Sequence, residues 1–167
     1  MKIAIISDTH GYIDQRILAY CAECDEVWHA GDFGDVQVLD ELEKVTHVKG
    51  VWGNVDGNDI RNRTNLHQYF SCEGLKVWMT HIGGKPGKYS LEVQEQIEQY
   101  PADIFICGHS HILQVKKDRK NDWLFINPGA AGKLGFHKTR TMLTLEINDG
   151  TINHPQVIEL GDRQVAS

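Results

Sequence analysis

Short apolar runs alternate with amphipathic stretches over the first 60 residues of the chain. Residues 2–7 form an apolar run that stops at Asp8, a pattern typical of a buried strand. Apolar side chains then recur at helical spacing, as at Ile17, Leu18 and Cys21. The predicted elements are strand 2–7, helix 13–24, strand 26–30, helix 35–45 and strand 47–52. This β-α-β-α-β order indicates a parallel or mixed sheet with helices packed on it.

Strands dominate the rest of the chain. Two runs at 67–72 and 75–80, separated by Glu73-Gly74, predict a hairpin, and a helix is predicted over 90–100, ending before Pro101. Further strands are predicted at 103–107, 113–117, 123–126, 141–147 and 151–158, with Asn148-Asp149-Gly150 as the turn between the last two. The strand-rich second half indicates a second sheet that faces the first.

Seven polar side chains follow five of these strands directly. They are Asp8 and His10, Asp32, Asn54, His81, and His109 and His111. Ligands of α/β sheets bind at the carboxyl ends of strands, so we expect these side chains to converge. Carboxylates mixed with imidazoles suit manganese, iron, cobalt, nickel or zinc, whereas calcium prefers oxygen ligands alone. Seven ligands are too many for one ion and fit two ions that share a bridging ligand.

Each of these residues also has a simpler interpretation. Asp8 and Asp32 are each able to cap the following helix, and Asn54 lies in a turn-rich stretch. His81 alone is more typical of a half-buried histidine with ordinary hydrogen bonds. The ordered recurrence at successive strand ends favours the metal site over these separate explanations.

Length and charge narrow the class of protein. The chain has 167 residues, and we expect one domain over 1–167. Its formal net charge is −6, which disfavours nucleic acid as a partner. The N-terminal apolar run is too short for a signal peptide, and no stretch is long enough to span a bilayer, so the sequence predicts a cytoplasmic protein with no membrane partner.

Cys21 and Cys24 form a C-x-x-C pair. Such a pair occurs in redox proteins and in half of a zinc site, but no second C-x-x-C completes a zinc site here. The pair also lies late in a predicted helix, away from the helix start used by thioredoxin-like proteins. Structural helix residues are the favoured interpretation, and Cys107, at the end of an apolar strand, is expected to be buried.

The motifs D-x-H, G-D, G-N, a lone His and G-H-x-H occur here in the order of the calcineurin-like metallophosphoesterase superfamily, which the chain resembles over most of its length. Its short length and Asn127-Pro128-Gly129 resemble the compact single-domain phosphodiesterase branch. The resemblance implies an α/β fold, a four-layer α-β-β-α sandwich with two facing mixed sheets.

The resemblance also implies a catalytic centre of two divalent metal ions per chain, with Mn²⁺ expected and Ni²⁺, Zn²⁺, Fe²⁺ or Co²⁺ as alternatives. Its ligand sets transfer by position as Asp8, His10 and His111 for one ion and Asn54, His81 and His109 for the other, with Asp32 bridging. A metal-bridging hydroxide then attacks phosphorus, and no protein nucleophile is required.

One position departs from the superfamily pattern. Many members read G-N-H, and that histidine is thought to protonate the leaving group, but here Val55 follows Asn54. Asp56 is next, and we expect it to be ionised or structural. The sequence therefore predicts better activity on activated esters than on alkyl phosphates.

A few further residues have two open interpretations. Lys85 and Lys88 either border the site and attract phosphate or lie in a surface loop. Asn127 either approaches the substrate or forms a plain turn, and His29 either orients a metal ligand or packs in the core. His137 and Arg140 are expected at the surface, with phosphate contact as the alternative.

The predicted activity is that of a metal-dependent phosphodiesterase acting on a small phosphate ester. Phosphomonoesterase or nuclease activity at the same centre is the alternative within enzymes. A scaffold of the same fold that binds other proteins is the alternative from another class, and a homo-oligomer is compatible with the sequence.

Overall fold

The computed structural model describes residues 1–163, in which ten strands form two five-stranded sheets. Sheet 1 contains β1 (Lys2–Ile6), β2 (Glu26–His29), β3 (His47–Gly50), β11 (Thr139–Asn148) and β12 (Thr151–Asp162). Sheet 2 contains β4 (His67–Cys72), β5 (Leu75–Thr80), β8 (Ile104–Ile106), β9 (Leu113–Asp118) and β10 (Trp123–Pro128). A separate ribbon pairs β6 (Gly84–Lys85) with β7 (Lys88–Tyr89).

Both sheets are mixed, as the resemblance implies. Their strand orders are β12-β11-β1-β2-β3 and β4-β5-β8-β10-β9. β1, β2 and β3 are parallel and occupy one side of sheet 1, where β11 and β12 complete the other side in antiparallel pairing. In sheet 2 the parallel strands β5, β8 and β10 are central, and β4 and β9 pair antiparallel at the two edges. Each sheet therefore has three adjacent parallel strands whose carboxyl ends meet at one edge.

Four helices in residues 1–163 flank the sheets. They are α1 (Gln15–Ala22), α2 (Val36–Val45), α3 (Asn58–Arg61) and α4 (Leu91–Gln96). Three of them start at a side-chain cap, because Asp14, Asp35 and Ser90 accept hydrogen bonds from backbone N–H groups of the first turn. None of the helices in residues 1–163 is long and apolar enough to cross a bilayer.

Alternating side chains of β1 separate two layers of core. Ala4 and Ile6 pack against α1 and α2, whereas Ile3 and Ile5 face sheet 2. A third cluster on the outer face of sheet 2 contains Trp78, Phe105 and Trp123, packed with Val93 of α4. The resulting layers are helix, sheet, sheet and helix, so the predicted α-β-β-α sandwich is confirmed.

Several elements differ from the sequence prediction in extent. The predicted helix 90–100 is regular only over α4, with looser turns at 97–100. α3 and the β6–β7 ribbon were not predicted, since elements of two to four residues are too short to show a period. The turn predicted between the last two strands is present, with left-handed backbone at Asp149 (φ 47°) and Gly150 (φ 73°).

Candidate metal centre

The seven predicted side chains lie together at the carboxyl edge of the parallel strands. Asp8 and His10 follow β1, Asp32 follows β2 and Asn54 follows β3 in sheet 1, whereas His81 follows β5 and His109 and His111 follow β8 in sheet 2. The site therefore lies where the two sheets meet, and each sheet contributes part of it. The sequence prediction that these strand ends converge is correct.

Two groups of three side chains each bring one donor atom per residue within 4.8 Å of one another. The first group is Asp8, His10 and His111, and the second is Asp32, His81 and His109. Asn54 Oδ1 joins the second group, 3.1 Å from His81 Nε2 and 3.0 Å from His109 Nδ1.

Asp32 lies between the two groups. Its Oδ2 atom is 3.1 Å from His81 Nε2 in the second group and 3.6 Å from His10 Nε2 in the first. Its other oxygen, Oδ1, accepts a hydrogen bond from the backbone N–H of Val55 at 3.1 Å. The carboxyl group is thus held from one side while its free oxygen faces both groups.

Two buried donor atoms of the first group have no hydrogen-bond partner among the described residues. They are Asp8 Oδ1 and His10 Nε2. A buried, unpaired carboxylate oxygen carries a large desolvation penalty unless another charge compensates it. His81 is oriented in a compatible way, because Nδ1 donates to the carbonyl of Ala30 at 2.7 Å and Nε2, once deprotonated, presents its lone pair to the site. The donor set fits a pair of borderline divalent ions.

The carboxyl groups and the imidazoles shift each other's proton affinity. Burial favours a higher pKa for Asp8, but contacts with His10 and His111 hold that pKa well below its usual value. The Asp8 carboxyl group, 3.7 Å from His10 Nε2, raises the pKa of His10, and Asp32 and Asp8 raise the pKa of His81 against the opposing effect of burial. The raised pKa values of His10 and His81 show that the carboxyl groups attract positive charge, and a bound cation would displace the histidine protons.

Left-handed backbone is concentrated at this site. Of nine non-glycine residues with positive φ in residues 1–163, five are candidate ligands: Asp8 (54°), His10 (45°), Asp32 (55°), His109 (70°) and His111 (60°). This conformation is uncommon for any residue other than glycine, although Asp and His adopt it more often than most, and here the surrounding contacts maintain it.

Asp56 braces the loops that carry Asp32 and Asn54. Its buried carboxyl group accepts hydrogen bonds from the backbone N–H groups of Phe33 at 3.2 Å, Gly34 at 2.8 Å and Gly53 at 2.8 Å. Asp56 is therefore structural, which was one of the two interpretations offered by the sequence.

His29 links the loop after β1 to the loop after β2. It is fully buried and stacks on Phe33 with ring centroids 3.6 Å apart. Its Nδ1 accepts from the N–H of Gly31 at 3.1 Å, so Nε2 donates to Thr9 Oγ1 at 3.0 Å. His29 thus packs in the core and also positions the segment between Asp8 and His10.

Asn127 holds the loop that carries His109 and His111. Its Nδ2 donates to the carbonyl of Gly108 and to Ser110 Oγ, both at 3.1 Å, and the residue is buried. The sequence did not predict this bracing role, since the two interpretations it offered for Asn127 were a contact with the substrate and a plain turn.

The prediction for Arg140 is wrong. Arg140 is only 4% exposed, and its guanidinium donates to Asp14 at 3.0 Å and to the carbonyl of Leu160. An arginine at the end of an exposed loop is usually solvated, but here its partner Asp14 comes from the other end of the chain. His137 is half-buried, with its ring 5.2 Å from that of His111.

The cysteines support their structural interpretation. All four are buried and unbridged. Burial raises the pKa of the Cys21 thiol and of the Cys107 thiol to about 12, and it raises the pKa of Cys24. Such thiols are poor thiolate donors, unlike the cysteines of redox pairs.

An open cavity of about 490 Å³ lies beside the centre. Five of the seven candidate ligands line it, together with the apolar side chains of Val55, Ile112, Leu134 and Phe136. Within the described residues no lysine or arginine lines this cavity. The cavity therefore offers the metal ligands as its main polar groups.

The chain is similar to a probable metallophosphoesterase, to a phosphodiesterase and to Vps29. A probable metallophosphoesterase of Methanothermobacter thermautotrophicus is 27% identical over 135 residues, which cover 78% of this chain and 77% of the relative. A novel archaeal phosphodiesterase aligns in structure with a TM-score of 0.71 and 25% identity, covering 96% of this chain and all of that one. Vps29 of Entamoeba histolytica in complex with Zn²⁺ aligns with a TM-score of 0.74 and 22% identity over 98% of this chain and all of that one.

The family assignment depends on the whole strand-end pattern and not on one motif. A family model for the calcineurin-like phosphoesterase superfamily domain matches residues 1–150, which include all seven candidate ligands. The chain therefore belongs to the calcineurin-like phosphoesterase superfamily.

Proposed function

We propose that this protein is a phosphodiesterase that uses two divalent metal ions, with manganese as the expected metal. The observation that carries the proposal is the position of Asp32, whose Oδ2 faces His81 in one ligand group and His10 in the other. A carboxylate between two ligand groups is the arrangement that two neighbouring ions require. We further propose that residues 1–167 form one domain that contains the whole centre.

Asp8, His10 and His111 would hold one ion, and Asn54, His81 and His109 the other, with Asp32 shared between them. When bound, such a pair of ions supplies the Lewis acidity that activates water and stabilises charge on phosphate oxygens. The chain itself orients the ligands, through Ala30 on His81, Val55 on Asp32 and Ser7 on Asp8. These contacts orient the side chains of His81, Asp32 and Asp8 before any ion or substrate arrives.

The lack of basic side chains in the cavity beside the centre supports a phosphate diester as substrate rather than a monoester. A phosphate diester carries one negative charge at neutral pH, whereas a monoester carries close to two. The described walls of the 490 Å³ cavity contain no lysine or arginine that would compensate the second charge. The resemblance to an archaeal phosphodiesterase points the same way.

A scaffold function is the second candidate. Phe136 is fully exposed and Leu134 is 63% exposed, and both lie beside the centre. The fold is also that of Vps29. A long nucleic acid is a poorer candidate, since the protein has a net charge of −6.

The test is hydrolysis of bis(p-nitrophenyl) phosphate and of p-nitrophenyl phosphate by metal-stripped protein. Manganese, nickel, zinc or magnesium is then added back singly. We expect metal-restored hydrolysis with the diester preferred, and its loss in His109→Ala. His47→Ala, which removes an exposed histidine at the opposite end of β3, is the control and should keep full activity. Folded protein that is inactive with every metal would favour the scaffold.

A further inference from the structure

A second and larger cavity adjoins the candidate metal centre. It has a volume of about 960 Å³ and lies against the β6–β7 ribbon and the start of α4. His109, Ser110 and Ile112 line both this cavity and the smaller one that contains the ligands. The two cavities therefore share a wall, and a molecule bound at the metal centre lies next to both.

The walls of the larger cavity are rich in exposed apolar side chains. Leu91 is 76% exposed, Ile112 is 66%, Ile82 is 44% and Leu113 is 37%. These four are a third of the twelve large apolar side chains that are exposed in residues 1–163. Apolar surface gathered in one concavity is typical of a ligand site, because burying it in a complex is favourable.

The cavity is preformed by fixed backbone. Gly84 has a left-handed φ of 85°, and a Cβ there would clash with the carbonyl oxygen of Lys88. Gln94 Nε2 donates to the carbonyl of Tyr89 at 2.7 Å, and the Tyr89 hydroxyl donates to Asp118 at 2.6 Å. The ribbon is therefore anchored to α4 and to sheet 2, and the cavity does not depend on a ligand to open.

The charge at the rim matches an anionic ligand. Lys85 and Lys88 line the cavity and form no ion pair with any residue in 1–163, and no aspartate or glutamate lines its described walls. In an acidic protein this local positive field attracts an anion towards the adjoining metal centre. Apolar walls with cations at the rim suit an apolar group attached to a phosphate.

We infer that this cavity receives one ester substituent of the phosphodiester substrate, and that this substituent is bulky and largely apolar, such as an aromatic ring. The inference rests on the proposed function and adds the substrate class. Leu91, Ile82 and Ile112 are then specificity-determining residues that touch the substituent. A phosphate with a small substituent would bind at the metal centre but leave these side chains in contact with water.

The test compares methylphosphonate with phenylphosphonate, which share the anionic group and differ in the substituent. Binding to the zinc-loaded protein is followed through ¹³C-methyl resonances, so no turnover is needed. We expect phenylphosphonate to bind at least about 10-fold more tightly than methylphosphonate, since one additional methylene in an apolar pocket increases discrimination between ligands roughly 10-fold or more. The Leu91 and Ile82 methyl resonances should shift with phenylphosphonate alone.

Variants locate the substituent. Leu91→Gln should reduce the phenyl preference about threefold or more by removing apolar contact area. Val157→Gln is the matched control, because Val157 is 49% exposed on β12 and lines neither cavity. Equal affinities for the two phosphonates would overturn the inference. It would also be overturned if Phe136→Gln, on the rim of the smaller cavity, abolished the preference while Leu91→Gln did not.

Hydrolysis of bis(p-nitrophenyl) phosphate, measured on the same preparations, separates this inference from the proposed function. Hydrolysis without a phenyl preference would overturn the inference alone. A phenyl preference without hydrolysis would overturn the proposed phosphodiesterase function and leave an organophosphate-binding cavity.

Discussion

Asp32 Oδ2 lies 3.1 Å from His81 Nε2, which joins a carboxyl group at the end of β2 in sheet 1 to an imidazole at the end of β5 in sheet 2. The same oxygen is 3.6 Å from His10 Nε2. Each sheet brings only part of the ligand set, so the centre depends on how the two sheets face each other. Asp32 is the side chain whose Oδ2 atom lies close to a histidine of each ligand group.

Replacing Asp32 should therefore disable both ligand groups. Asp32→Asn removes the negative charge while keeping the shape of the side chain and the hydrogen bond from Val55. We expect the rate of diester hydrolysis to fall by at least about 100-fold, because mutating even a residue that only supports a metal ligand lowers metal affinity or activity about 10–100-fold. Kinetics with saturating manganese measure this. Asp149→Asn, in the exposed turn between β11 and β12, is the control and should retain wild-type rates. An active Asp32→Asn enzyme would contradict the bridging role.

Two neighbouring glycines provide a matched steric test. A Cβ on Gly53 would overlap Asp32 Oδ1, whereas a Cβ on Gly57 would meet no atom within 4 Å. Gly53→Ala should displace Asp32, weaken metal binding at least about 10-fold and cost about 1–3 kcal/mol of stability from overpacking. Gly57→Ala should leave metal binding unchanged and cost less than about 1 kcal/mol of stability, from loss of the N-cap glycine of α3. Metal titration and urea unfolding measure them, and equal behaviour of the two variants would argue against the tight fit.

His29 should make the metal-free protein sensitive to mild acid. Burial lowers the pKa of His29 to about 3, whereas an unfolded histidine has a pKa near 6.5. Because the folded pKa is depressed, the unfolded state binds the extra proton first, and stability falls as pH drops below 6.5. The slope from this residue is about 1.4 kcal/mol per pH unit, which amounts to about 2 kcal/mol between pH 7 and pH 5.

Substitution isolates this effect. His29→Gln and His29→Phe should both lose stability at pH 7, because each disturbs the contacts with Thr9 and Gly31. Neither side chain titrates, so the free energy of unfolding should depend less steeply on pH in both variants. Urea unfolding in the presence of a chelator at pH 7 and pH 5 measures the difference. A slope equal to that of the wild type would show that His29 does not titrate on unfolding.

The absence of a histidine after Asn54 should appear in the leaving-group dependence. Val55 is 49% exposed and lines the cavity beside the centre, where it has no proton to donate. A general acid typically raises the rate about 10²–10⁴-fold. Without one, the rate of hydrolysis of aryl methyl phosphates should fall steeply as the pKa of the leaving phenol rises. Val55→His should flatten this dependence by assisting poor leaving groups. A flat dependence in the wild-type protein would indicate that another group supplies the proton.

The sequence predicts the positions of the candidate ligands well, because the carboxyl ends of parallel strands meet at one edge whatever the details of the loops. Asp8, Asp32 and His81 each come directly after an apolar run, and that order survives small errors in strand length. The layered arrangement of helices and sheets is predictable for a similar reason, since alternate side chains of a central strand such as β1 must face opposite cores.

The residues that brace the site were much harder to predict. Asp56 and Asn127 act through backbone groups, and Arg140 pairs with Asp14 at a separation of 126 residues. Contacts of this kind leave no period and no local motif in the sequence. The left-handed backbone of His10, His109 and His111 is equally hard to predict, because tertiary contacts impose it at these positions and not at most other histidines.

The most direct test of the central claim is a titration of metal-stripped protein with Mn²⁺, in which bound metal and hydrolysis of bis(p-nitrophenyl) phosphate are measured on the same samples. We predict that the rate rises until two ions are bound per chain and then stays constant, and that Asp32→Asn neither reaches this stoichiometry nor becomes active. Full activity with one ion bound, or two bound ions without hydrolysis, would contradict the proposed dinuclear phosphodiesterase.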